Sequence, residues 1–90
     1  MNRAERIQAK IEAALHPSTL EVEDESHLHA GHAGAQPGGE THYRVTVVSS
    51  SFAGELRVAR QRSVYALLSE EFETGLHALS VQALTPDEAV

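Results

Sequence analysis

Cysteine is absent from this chain of 90 residues. That excludes disulfides, a thiol nucleophile, thiolate zinc sites and any iron–sulfur site built from the chain's own sulfur. It agrees with a reducing cytosol. Basic residues are in the minority, seven Lys and Arg against 13 Asp and Glu, for a formal net charge of −6. Such a balance argues against tight binding to nucleic acid, because neutralising phosphates needs a basic surface. No stretch approaches the roughly 18–20 apolar residues of a membrane span. The opening segment, MNRAERIQAKIEAAL, is charged and amphipathic and lacks the apolar centre of a signal peptide. The expectation is a soluble, cytoplasmic protein that is a monomer when alone. Catalytic signatures are missing too. There is no Walker loop, dinucleotide fingerprint or HExxH, and nothing identifies a base for Ser49, Ser50 or Ser51. A chain this short forms one small domain, here residues 1–90, with a modest core and no deep substrate cavity. An enzyme is not expected.

What is present is a clear alternation of periods. Asn2 is placed to cap a first helix, with Ile7, Ile11, Ala14 and Leu15 at helical spacing. Arg3, Glu5, Arg6, Lys10 and Glu12 are assigned to its opposite face. His16-Pro17 ends it, since the residue before proline avoids the helical region. A short strand is predicted over 19–23, with Leu20 and Val22 on one face. Residues 24–40 hold acid, histidine, Pro37 and four of the six glycines, Gly31, Gly34, Gly38 and Gly39, and show no period. They read as a long mobile loop. HYRVTVVS, residues 42–49, alternates as a strand through Tyr43, Val45 and Val47. SSSFAGE turns at Gly54, and one helix is predicted over 57–72, through Val64, Tyr65, Leu68 and Phe72, closed by Gly75. HALSVQAL, residues 77–84, is the last strand, and the acidic tail over 86–90 is expected to fray.

The order is αββαβ. The first two strands can pair antiparallel, and the second and third, joined through a helix, pair in parallel by a right-handed crossover. The fold class is therefore α/β (α+β), a three-stranded mixed sheet with two helices on one face. Within this frame the stretch ESHLHAGHAGAQPGGETH carries four of the six histidines. His27, His29 and His32 stand close together, and with Glu25 or Asp24 they offer donors for zinc, nickel or copper. Their spacing matches no closed zinc site. His42 opens the second strand and is taken as structural, while His16 merely precedes proline. His77 opens the last strand.

Several short signals recur in a fixed order: ES-x-x-H at Glu25 to His29, THYRV at Thr41 to Val45, VVS-x-x-F-x-G at Val47 to Gly54, RQRSVY at Arg60 to Tyr65, and HAL followed by TP at His77 to Pro86. In these the chain resembles the BolA family, from the first helix to residue 88. The resemblance implies an α/β fold similar to the class II KH domain. It also implies a partner, a monothiol glutaredoxin, and a [2Fe–2S] cluster held jointly by the heterodimer with glutathione. The family's near-invariant cluster ligand falls on His77 and its loop ligand on His29, with His32 and His27 as alternatives. A chain without cysteine needs the partner's thiolates to complete a cluster, and imidazole ligation weakens in mild acid. Some family members are described as DNA-binding regulators linked to stress, cell shape and biofilm. One departure stands out: Gln61 lies between Arg60 and Arg62, where the family often has histidine.

A second function class rests on Arg57, Arg60, Arg62 and Tyr65. They gather at the start of the second helix, where N-terminal amides and the helix dipole also favour anions. Weak DNA binding, or an acidic protein partner, is the corresponding expectation. A KH-style clamp is not, because the only G-x-x-G, Gly31 to Gly34, falls between two strands rather than two helices.

Overall fold

The computed structural model describes residues 1–26 and 41–90. His27, His29, His32 and most of the predicted loop lie outside the described residues. Helix α1 spans Arg3–Leu15 and starts as the sequence predicts. The Asn2 side chain accepts the Glu5 amide at 2.8 Å, and the Glu5 carboxylate accepts the Asn2 amide at 3.2 Å. This reciprocal capping box satisfies two of the amides that a helix start leaves unpaired. Ile7 and Ile11 are fully buried, whereas Ala14 is exposed. His16 ends the helix in the left-handed region, φ 45°.

Strand β1 covers Thr19–Asp24, one residue longer than predicted, and β2 covers His42–Val48. A 3₁₀ turn over Ser50–Phe52 and Gly54 at φ +81° lead into α2, Arg57–Leu67. The single helix predicted over 57–72 is two helices. Leu68 leaves helical geometry at φ −106°, ψ 14°, its amide shared between the Val64 and Tyr65 carbonyls, and α3 follows over Ser69–Glu73. The break lets Leu68 fill the core while Glu71 turns towards α1. Strand β3, Ala78–Leu84, begins one residue after His77.

The sheet has the order β1-β2-β3, antiparallel then parallel, as expected. Register aligns the apolar positions across it: Leu20, Val47 and Ala83 in one row, Val22, Val45 and Val81 in the next. Period-two alternation sends these rows to one face, where Ile7 and Ile11 of α1, Val64 of α2 and Leu68 between α2 and α3 pack with Phe52. The other face carries Glu21, Glu23, Arg44, Ser80 and Gln82, all exposed.

Two expectations are corrected here. The polar side of α1 is not uniformly solvated: Arg3 is buried and bonds to Glu71, which also receives Arg6 and Lys10. Nor does the tail fray. Residues 85–89 form a turn, with the Glu88 and Ala89 amides bonded to the Thr85 carbonyl, and Glu88 pairs with Arg60.

Candidate functional site

Parallel pairing of β2 with β3 brings the heads of the two strands together, with His42 opposite Ala78. The Thr41 carbonyl accepts both the His77 amide, at 2.8 Å, and the Ala78 amide, at 3.0 Å. The chain reaches this clip through Gly75, at φ +134°, where an added Cβ would meet the Arg3 guanidinium at 2.8 Å. Only glycine takes such a backbone without strain. Leu76 is buried and its amide bonds to the Glu71 carbonyl at 2.8 Å. The backbone on both sides of His77 is thus fixed, while its side chain is exposed.

His42 sits beside it. The two imidazole centroids are 5.3 Å apart, with ring planes tilted by 54°. Unlike His77, His42 is buried, and Thr41 Oγ1 lies 2.8 Å from its Nδ1. Beneath them the Ser26 hydroxyl oxygen accepts the Thr41 amide at 2.9 Å and the His42 amide at 3.1 Å. The Asp24 carboxylate in turn accepts the Ser26 amide at 2.9 Å. A shallow cavity of about 210 Å³ opens alongside, lined by Glu25, His42, Tyr43, Ala78, Leu79 and Ser80. Among the described residues, no three histidine, aspartate or glutamate side chains gather as a metal site. Asp24 and Glu25, considered as donors beside the loop histidines, are accounted for in part by Ser26 and by Arg44, whose Nε is 3.8 Å from Glu25 Oε2.

The arginine cluster comes apart. Arg57 and Arg62 are exposed, five residues apart, which places them on different sides of α2 rather than as neighbours. Arg60 is the correction: it is buried, donating to the Glu55 carbonyl at 2.9 Å, the Ala83 carbonyl at 3.2 Å and the Glu88 carboxylate at 2.5 Å. Its guanidinium also lies 5.9 Å from the Phe52 ring centroid. The Tyr65 hydroxyl donates to the Leu79 carbonyl at 2.5 Å, and the ring stacks on Phe72. Arg60 and Tyr65 therefore cap carbonyls of β3, Arg60 as a buried residue and Tyr65 as an exposed one.

His42, which sequence reasoning took as structural, is the residue the fold places beside His77, because the register sets it opposite Ala78.

Residues 11–88 match the family described as BolA-like protein. Among curated relatives, Arabidopsis thaliana protein BOLA1, chloroplastic, is 49% identical over 98% of this chain and 56% of its own length. Bovine BolA-like protein 1 is 51% identical over 89% of this chain and 56% of its own length. The chain thus spans little more than half of either. The solved BolA domain of SufE1 from Arabidopsis thaliana superposes with a TM-score of 0.88 at 48% identity, covering 98% of this chain and 96% of that one.

Proposed function

The chain belongs to the BolA-like protein family, and from that premise we propose that it is an adaptor for a monothiol glutaredoxin. In this reading the two proteins form a heterodimer and share a [2Fe–2S] cluster, for iron sensing or cluster trafficking. His77 contributes one imidazole, and a loop histidine, His29 with His32 or His27 as alternatives, contributes the other. The observation that carries the proposal is His77 itself: an exposed imidazole on a backbone clipped to Thr41 and braced from Gly75. The donor chemistry supports a shared group. The chain offers imidazole nitrogen and no cysteine, so thiolates come from the glutaredoxin cysteine and from glutathione. When bound, the cluster supplies one-electron chemistry or is handed on as cargo. The residues of this chain hold and orient it and perform no catalytic step. The proposed setting is the cytoplasm. Two plant relatives carry chloroplastic, or chloroplastic and mitochondrial, in their names, so compartment varies among relatives. DNA binding through α2 is the weaker reading, because burial of Arg60 leaves it two exposed arginines, Arg57 and Arg62, beside Tyr65.

The test is anaerobic cluster assembly from iron, sulfide, glutathione and a monothiol glutaredoxin, read by visible absorption and circular dichroism. The expected result is a heterodimer spectrum distinct from that of glutaredoxin alone, lost or altered in His77→Ala. An altered spectrum in His29→Ala identifies the loop ligand. A glutaredoxin spectrum unchanged by the added chain, with no complex formed, overturns the proposal for that partner.

A further inference from the structure

We propose that the outer edge of β1 docks an extended, basic segment of another protein, which joins the sheet as a fourth strand. This edge lies across the sheet from β3 and does not involve His77, so it stands apart from the shared-cluster reading.

The two edges of the sheet differ. At β3 the edge is closed from within, because Tyr65 and Arg60 donate to the Leu79 and Ala83 carbonyls. β1 has no such cover. The Glu25 amide bonds to the His42 carbonyl, and antiparallel pairing repeats that contact at every second residue. Glu23, opposite Arg44, and Glu21, opposite Thr46, therefore turn their main-chain groups towards β2. Leu20 and Val22 turn theirs outward, where no side chain of the described residues bonds to them. Such a row of amides and carbonyls is a template for one more strand. The side chains of Leu20 and Val22 are only half-buried against the core, so an added strand would cover apolar surface as well.

Charge decides the occupant. Four of the five residues 21–25 are acidic. Arg44 pairs with Glu25, at 3.8 Å, and Glu21 and Glu23 are exposed, with no ion pair among the described residues. A second copy of this chain is a poor fit. Two β1 edges paired antiparallel about Val22 would set Glu21 opposite Glu23 twice, and like charges directly opposite are destabilising. A strand that alternates Lys or Arg with apolar residues matches both faces. Its cations lie beside Glu21 and Glu23, and its apolar side chains extend the row of Leu20 and Val22.

The probe is an acetylated, amidated Lys-Val-Lys-Val-Lys peptide, titrated into the full chain and followed by 1H–15N spectra and amide exchange. Strand addition protects alternate residues. Exchange at the Leu20 and Val22 amides should slow, while Glu21 and Glu23, already bonded to β2, should not change. Affinity should fall as salt rises. Glu21→Gln combined with Glu23→Gln, at two exposed positions, should weaken binding roughly 10-fold while the spectrum of the free chain stays native. A Glu-Val-Glu-Val-Glu peptide should not bind. A basic peptide that binds without slowing Leu20 and Val22, or that binds the double variant equally well, is held by charge alone and overturns the proposal. So does a spectrum unmoved by excess peptide, or a dimer of the chain alone that protects the same two amides. The titration contains neither glutaredoxin nor iron, so strand addition and cluster assembly succeed or fail separately.

Discussion

Arg3 and Arg60 stand at opposite ends of the fold, and each buries a guanidinium against a glutamate. Both are under a tenth exposed, and both donate to two main-chain carbonyls, Glu71 and Thr74 for Arg3, Glu55 and Ala83 for Arg60. The difference lies in the acid. Glu71 is itself buried and takes Arg3 at 2.8 Å, Arg6 at 3.1 Å and Lys10 at 2.8 Å, so one carboxylate pairs with three cations of α1. Glu88 belongs to the tail and answers Arg60 by itself. Removing a buried charge leaves its partners uncompensated, whereas an exposed partner is replaced by water. The same pair of residue types thus makes a structural node at one end and a tether at the other.

The largest effect is therefore expected at Glu71. Glu71→Ala strands a buried guanidinium and should cost about 3–5 kcal/mol, lowering the melting temperature by more than about 10 °C in a domain of this size. Burial alone would raise the Glu71 carboxyl, but hydrogen bonds from Lys10 and Arg6 outweigh it and hold the group below its ordinary 4.5. A carboxyl lowered in the folded state gives stability that is complete above its unfolded value and is lost as pH falls through the folded one. Thermal melts across that acid range should show the loss in the wild type. In Glu71→Gln this part of the slope should be missing. An unchanged slope would mean the three cations do not act through this carboxylate.

Arg60 gives the intermediate case. Arg60→Met keeps much of the bulk over Phe52 but leaves the Glu55 and Ala83 carbonyls without their donor. About 1–3 kcal/mol of destabilisation is expected in chemical denaturation, with faster amide exchange at Glu88 and Ala89 as the tail is released. A solvated arginine would cost within about 0.5 kcal/mol. A value that small would return Arg60 to the surface, and with it the basic cluster.

The comparison also shows what was legible in the sequence. Periodicity alone located every strand to within a residue or so, because each strand alternates cleanly and the rows align in register. The cap was read in Asn2, and the αββαβ order pointed to the parallel pairing. Burial of charge was not legible. Arg3 and Arg60 both sit at polar positions of helical patterns, and only tertiary contacts over 65 residues or more for Arg3, or 23 and 28 for Arg60, turn them inward. The break at Leu68 escaped for a similar reason: Leu68 and Phe72 keep helical spacing across it. Of the candidate site, His77 was readable from its motif. Its neighbour His42 required the strand pairing to be carried through to the side chains.

The smallest effect belongs to Glu88, and it separates geometry from energy. Hydrogen bonds from Arg60 and, after it, the Thr85 amide hold the Glu88 carboxyl at about 2, although the tail faces solvent. A low value in an exposed group records a well-formed contact, not a large contribution to stability, because water and salt screen the pair. Glu88→Gln should thus change the melting temperature less than either variant above, and less still in high salt. The contact nevertheless remains visible in the titration of the Glu88 side-chain carbon by NMR. A group lowered to about 2 stays ionised, and keeps its contribution, until pH falls through that value. In Arg60→Met the midpoint should climb back towards 4.5. If it stays low there, the Thr85 amide and not the guanidinium holds the tail, and the resemblance between the two ends of the molecule is lost.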